Sequence, residues 1–218
     1  MRILLTGATG LVGQGVLHEC LHDPDVTRVA ALGRRPSGQT HARLEDIVAP
    51  DFADLRAVED RLHPFDACFY CAGAPPVGTP EAEYRRVTLD LTLNVARTLA
   101  RLDPGLRFLY ISGAYADPDS RIMPLRVKGE TERALAALPI RTVMLRPGGI
   151  QPVHGERSPH PPLAVLYAIA GPLMGVGVRL MPNLMTSTAR LGRAMLRLAR
   201  DPDPPPVVEC AEINRLGE

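Results

Sequence analysis

Three glycines separated by pairs of residues, Gly7, Gly10 and Gly13, stand in the stretch Thr6-Gly-Ala-Thr-Gly-Leu-Val-Gly13. An apolar run at 3–5 stops at Thr6, and a helical apolar pattern begins at once with Leu11, Val12, Val16, Leu17, Cys20 and Leu21. A strand, a glycine turn and a helix with nothing between them suit a diphosphate. The first glycine permits the tight turn, the second lets backbone approach a pyrophosphate, and the third lets helix pack closely on strand. Unpaired amides at the helix start, with the positive end of its dipole, attract the phosphates. Gly7, Thr9, Gly10, Leu11 and Val12 are therefore the expected phosphate contacts, and a dinucleotide is the expected cofactor.

Further along, a β-rich run at 26–32 ends in Gly33-Arg34-Arg35-Pro36. The residue after this strand meets the adenosine ribose. An acid there would bind the free 2′-hydroxyl of NAD, whereas arginine accommodates a 2′-phosphate. With Arg34 and Arg35 present and no acid, paired guanidinium–phosphate bonds favour NADP(H), with NAD(H) the alternative. A third strand at 44–48 leads to Asp51 and Phe52, expected near the adenine. A fourth, at 66–71, opens into Cys71-Ala72-Gly73, whose small side chains let a ligand pass close to the backbone. Cys68 and Cys71 have C-x-x-C spacing, but residues three apart on a strand face opposite ways, so neither a disulfide nor a shared metal is expected. No cluster with metal-ligand spacing and no G-x-S-x-G nucleophile elbow is picked out, and no metal is expected.

The elements that must position these groups alternate. Helical spacing at 54–62, an amphipathic helix at 81–102, a strand at 106–111, a helix at 124–138 and a strand at 140–145 follow in turn. This predicts an α/β fold, a doubly wound parallel sheet covered on both faces, with its ligand crevice at the carboxyl ends of the strands. The 218 residues suffice for one such domain, read as 1–218 with 151–185 as a small C-terminal lid or substrate region. Within it, 163–178 is apolar but interrupted by glycine and proline, and shorter than the ~20 residues of a membrane span. It reads as a lid, with docking on a membrane or partner subunit as a weaker idea. A helix at 186–200 and a strand at 207–210 end the pattern. The formal net charge of +1 gives no pull towards nucleic acid. Scattered cysteines and the lack of a secretory pattern point to a reduced, cytoplasmic protein.

Thr6-Gly-Ala-Thr-Gly-Leu-Val-Gly13, Cys71-Ala-Gly73, Ser112 and Lys128 together resemble the short-chain dehydrogenase/reductase superfamily, in its atypical, epimerase-like branch. The likeness runs over essentially the whole chain and implies a Rossmann fold. It also implies that Arg146-Pro147-Gly148 forms a turn beside the nicotinamide, and that a Ser, Tyr and Lys set does the chemistry, tyrosine four residues before lysine. In that set tyrosine moves a proton at the substrate oxygen, lysine holds the nicotinamide ribose and serine orients the carbonyl. Here Pro124 stands four residues before Lys128, and proline has no proton to give. Lys128 is nonetheless the one lysine beside 24 arginines and occupies the motif's lysine position. Tyr115, three residues past Ser112, is the nearest substitute tyrosine, while His154 and His160 read as solvated loop residues. Two readings follow. One is an NADP(H)-dependent oxidoreductase or epimerase-like enzyme acting on an unidentified small apolar carbonyl or hydroxyl compound; the other is a non-catalytic NADP(H)-binding sensor or scaffold.

Overall fold

The structure, a computed structural model, describes residues 1–156 and 180–218. The segment 163–178 and His160 therefore lie outside the described residues, as does most of the expected lid.

β1 (Arg2–Thr6), β2 (Arg28–Gly33), β3 (Leu44–Val48), β4 (Ala67–Tyr70), β5 (Arg107–Ile111), β6 (Arg141–Arg146) and β9 (Val207–Glu209) form one sheet. Its order is β3-β2-β1-β4-β5-β6-β9 and every pairing is parallel. These strands read as near-continuous apolar runs because both of their faces are covered. Alternate side chains divide between two cores. Ile3, Leu5, Phe69, Leu109 and Ile111 pack beneath α1 (Leu11–His22) and α5 (Thr188–Arg200). Leu4, Cys68, Tyr70, Phe108 and Tyr110 pack with α3 (Leu91–Leu102) and α4 (Met123–Ala136) on the other face. The order reverses between β1 and β4, the point where a doubly wound sheet opens its ligand crevice.

Several elements differ from the sequence expectation. The segment expected as a helix at 54–62 is a 3₁₀ helix, Arg56–Arg61. The expected helix at 81–102 is interrupted: α2 (Glu81–Arg85) runs into a π turn, Arg86–Asp90, before α3. At the turn, hydroxyls of Thr92 and Thr131 donate to the Thr88 carbonyl at 2.7 and 3.4 Å, side-chain partners that compete with the regular backbone ladder. β7 (Gly149–Gln151) and β8 (Met185–Ser187) pair as a separate small parallel sheet, too short to leave a periodic signature. The last strand is followed by α6 (Cys210–Leu216). Cys68 lies on β4, Cys71 just past it, and all four cysteines are free.

Candidate functional site

At the carboxyl ends of β1, β2 and β4 lies a cavity of about 660 Å³. Its wall includes Gly7, Thr9, Gly10, Arg34, Arg35, Asp51, Phe52, Cys71, Ala72 and Gly73, which sequence reasoning had drawn from four separate strand ends. The turn is held from both sides. The Thr6 hydroxyl accepts the amides of Cys71 and Ala72, each at 3.2 Å, so the end of β1 is tied to the loop after β4. Gly7 has φ +74°, and a Cβ there would lie 2.7 Å from the backbone of Cys71 and Ala72. At Gly13 a Cβ would stand 2.0 Å from the Gly7 carbonyl. α1 starts after Gly10 with no side-chain cap and no acid in its first turn. The first-turn amides, those of Leu11 and Val12 among them, therefore lack intrahelical acceptors and form an anion seat. A tight turn that needs glycine at Gly7 and Gly13, opening on unpaired amides, fits a diphosphate.

Arg34 and Arg35 are exposed, and among the described residues neither is in an ion pair. Asp51 caps its own turn through Ala53 N at 2.9 Å, and the Phe52 carbonyl accepts Asn94 Nδ2 at 2.6 Å, which fastens this wall to α3. The sequence reading missed Arg86, Val87 and Leu91, which the π turn and α3 bring to the cavity. Val87 and Leu91 fall on the apolar stripe of the amphipathic helix expected at 81–102; periodicity marks that stripe without distinguishing core from cavity wall. Arg86 is held by Glu83 through bonds of 2.9 and 3.0 Å.

Ser112, Lys128, Tyr115 and Arg146-Pro147-Gly148 do not line this cavity. They sit at the ends of β5 and β6, and on α4 beside them. The Ser112 amide donates to Leu145 O at 2.8 Å and the Ala114 amide to Pro147 O at 2.9 Å, so the two loops are sewn together. Ser112 Oγ is buried and has no hydrogen-bond partner among the described residues. Lys128 Nζ donates to Ile111 O at 2.8 Å and lies 4.9 Å from the centre of the Tyr110 ring. Burial lowers its pKa to about 8 against the opposing charge of Glu132. Tyr115 has φ +62° and is 68% exposed, so its ring faces solvent.

Arg146 was expected beside the nicotinamide. Its guanidinium is committed to Glu132 at 2.6 and 3.0 Å and to Glu209 at 3.0 Å, and these carboxylates hold its pKa above the usual arginine value. Gly148 serves packing as well, since a Cβ there would meet Leu184 O at 2.1 Å. Arg146→Met would strand Glu132, which is only 8% exposed. Breaking a fully buried pair costs ~3–5 kcal/mol. With Arg146 a quarter exposed, about 2 kcal/mol is expected, a fall in Tm of roughly 4–8 °C; an unchanged thermal midpoint would refute the structural role.

The expectation that no metal-ligand cluster exists needs correction. His18 and Glu19 on α1 meet His154 from the loop after β7, with ligand atoms all within 4.8 Å of one another. The sequence carried part of this signal in the adjacent pair His18-Glu19 on α1. The rest needed the fold, because His154 is more than a hundred residues away.

The profile described as "NAD dependent epimerase/dehydratase family" matches residues 3–137. The chain is similar to "Protein fmp52, mitochondrial" of Emericella nidulans, 33% identical over 175 residues, covering 76% of this chain and 74% of that protein. It is also similar to the Saccharomyces cerevisiae protein FMP52, mitochondrial, at 30% identity over 165 residues, covering 72% and 68%. Among solved structures, MoeE5 in complex with UDP-glucuronic acid and NAD superposes with a TM-score of 0.70 at 21% identity, covering 95% of this chain and 75% of that one, a likeness of fold. The names of the two fungal relatives overturn the cytoplasmic location expected from the cysteines. Unpaired thiols report a reducing environment, and more than one compartment provides one.

Proposed function

The chain belongs to the NAD dependent epimerase/dehydratase family, the epimerase-like branch that its motifs resembled, and on that premise we propose that it binds NADP(H) and acts on a small apolar carbonyl or hydroxyl compound. The observation that carries this reading is the cavity itself, whose wall joins the Gly7–Gly10 turn to Arg34 and Arg35 and to the loop Cys71-Ala-Gly73. In this arrangement the diphosphate rests on the amides opening α1 and the ribose phosphate meets the two arginines. A reactive end lying towards β5 and β6 is supported by the strand order, in which β4, β5 and β6 are successive neighbours.

When bound, a nicotinamide cofactor supplies hydride transfer. The chain's own part is to orient and to neutralise. Ser112 Oγ, buried without a partner among the described residues, donates to a substrate oxygen, and the Lys128 ammonium holds ribose hydroxyls while adding positive charge. Tyr115 would have to turn inward to move a proton. Following NADPH absorbance across a panel of carbonyl compounds tests the assignment, and turnover undiminished in a Lys128→Ala, Ser112→Ala double variant would rule these residues out.

A second reading is favoured by one observation: Pro124 lies in the first turn of α4, where the family's tyrosine would stand. In this reading the chain binds NADP(H) without turnover. Micromolar NADPH binding with no oxidation across a broad substrate panel would select it over the first.

A pH profile of binding tests Lys128 in either reading. If a ribose contact needs the ammonium, binding raises the pKa of Lys128 in the complex. Free protein then has to take up a proton to bind once pH exceeds about 8. NADPH affinity should be flat below that point and fall by up to about tenfold per pH unit above it, with the slope abolished in Lys128→Met. A profile identical in wild type and variant would remove Lys128 from the site.

A further inference from the structure

We propose that His18, Glu19 and His154 bind one divalent transition-metal ion, with Zn²⁺ the best match to the donor set, on the part of α1 remote from the dinucleotide cavity. His18 lies eight residues beyond Gly10, about 12 Å along the helix at 1.5 Å per residue.

The donors are two imidazoles and a carboxylate, the chemistry that zinc sites use when a fourth position is left to water. With metal–ligand bonds of about 2.0–2.1 Å in a tetrahedron, neighbouring ligand atoms lie roughly 3.3 Å apart. His18 Nδ1 and Glu19 Oε1 are 3.6 Å apart, and His154 Nε2 and Glu19 Oε1 are 2.8 Å apart. One separation is close to the required spacing; the other is a hydrogen bond that a cation would replace. His18 Nδ1 is itself buried with no hydrogen-bond partner among the described residues, a nitrogen that a protein seldom leaves unused.

The surroundings hold the donors in place. The Glu19 side chain is only 12% exposed, and Arg193 Nη1 lies 3.7 Å from its Oε2, so Oε1 is the oxygen that faces the histidines. The His154 amide donates to Glu156 Oε2 at 2.7 Å, and Glu156 Oε1 accepts the hydroxyl of Thr188 at the start of α5. Gly15 permits this packing, because a Cβ there would meet Glu156 Oε1 at 2.5 Å. The loop carrying His154 is thereby seated on α1 by contacts that involve no metal.

One movement is required. The His18 and His154 rings are stacked, with centroids 3.7 Å apart and planes 18° from parallel. Two parallel rings cannot aim in-plane lone pairs at one point. His154 is exposed on its loop, so its ring can swing out of the stack about its own side-chain torsions while its backbone stays pinned. His22 stacks on His18 at 4.0 Å, but its Nδ1 bonds to His18 O at 2.8 Å, and it lies outside the donor set. This separates the proposed site from the familiar helical pair of histidines at i and i+4. A bound ion would clasp the loop after β7 to α1 and raise thermal stability.

Chelator-treated full-length protein titrated with Zn²⁺ by calorimetry, and with Co²⁺ by visible absorption, tests the proposal. One ion per chain with a Kd on the order of micromolar or tighter is expected. His154→Ala and His18→Ala should each weaken it by about 100-fold or more, beyond the 10–100-fold typical of losing an outer contact. His22→Ala should retain stoichiometric binding. Absence of a stoichiometric ion overturns the proposal. So does the reverse pattern, with His22→Ala losing the ion and His154→Ala keeping it, since that describes the helical pair alone. His154→Ala changes an exposed loop side chain and stays decisive even if His18→Ala fails to fold. NADPH binding in the same samples should be unaltered.

Discussion

In Gly10→Asp protein, NADPH binding is expected to fall by on the order of 1,000-fold while the fold is retained. Each of the three turn glycines meets a different obstacle. At Gly7 a side chain would combine a left-handed φ of +74° with a backbone clash at 2.7 Å, and at Gly13 it would run into the Gly7 carbonyl at 2.0 Å. Substitution at either place damages the strand–helix joint itself, so lost binding would carry no message. Gly10 is different. Its φ of −86° and ψ of 160° suit any residue, and a Cβ would meet only the Gly7 carbonyl, at 3.3 Å. It is also the N-cap of α1, where aspartate is among the preferred residues. The helix should therefore form as well as before. A carboxylate at that point shares the anion seat with the diphosphate. Two unit charges 4 Å apart repel by about 4 kcal/mol at an effective dielectric of 20, which is roughly three decades in affinity. Calorimetry on a variant with an unchanged thermal midpoint is the measurement, and affinity within tenfold of wild type would place the diphosphate elsewhere.

The second large effect is one of selectivity. Replacing both Arg34 and Arg35 by alanine should weaken NADPH by about 100-fold and leave NADH within about twofold. Each guanidinium–phosphate bond contributes ~1.5–3 kcal/mol, so losing two removes about 3 kcal/mol or more from the phosphorylated cofactor. NADH has no 2′-phosphate and should feel only the ±0.5 kcal/mol of an ordinary surface change. Both side chains are exposed, so stability should not confuse the result. Arg86 lies on the same cavity wall, but Glu83 already neutralises it, and the Glu83 carboxyl is lowered chiefly by its hydrogen bond to Arg86 and further by Arg34. Equal losses for the two cofactors would show that Arg34 and Arg35 do not read the 2′-phosphate.

Much of the cavity was legible in advance, because its parts are local. A turn that needs glycine, two arginines after a strand and a small-residue loop after another each announce themselves within a few residues. A parallel sheet covered on both faces could be expected as soon as strand and helix alternated. The π turn at Arg86–Asp90 could not, since one partner of its Thr88 carbonyl is the Thr131 hydroxyl on α4, far along the chain. The partners of Arg146 were illegible for a related reason. Its place in Arg-Pro-Gly suggested a cofactor neighbour, but Glu132 on α4 and Glu209 at the end of β9 decide where its guanidinium goes.

By itself, then, the order of residues determined that this chain forms a doubly wound sheet and where a glycine turn opens on unpaired helix amides, since hydrophobic period, turn geometry and helix ends are properties of short stretches. Only the tertiary structure decided which side chains spend their charge on one another. Arg146 with Glu132 and Glu209, Lys128 with the Ile111 carbonyl, and His154 with Glu19 are partners chosen by packing between elements distant in sequence. A charge settles against whichever opposite charge the fold brings within reach, and that distance is written in no single stretch of the chain.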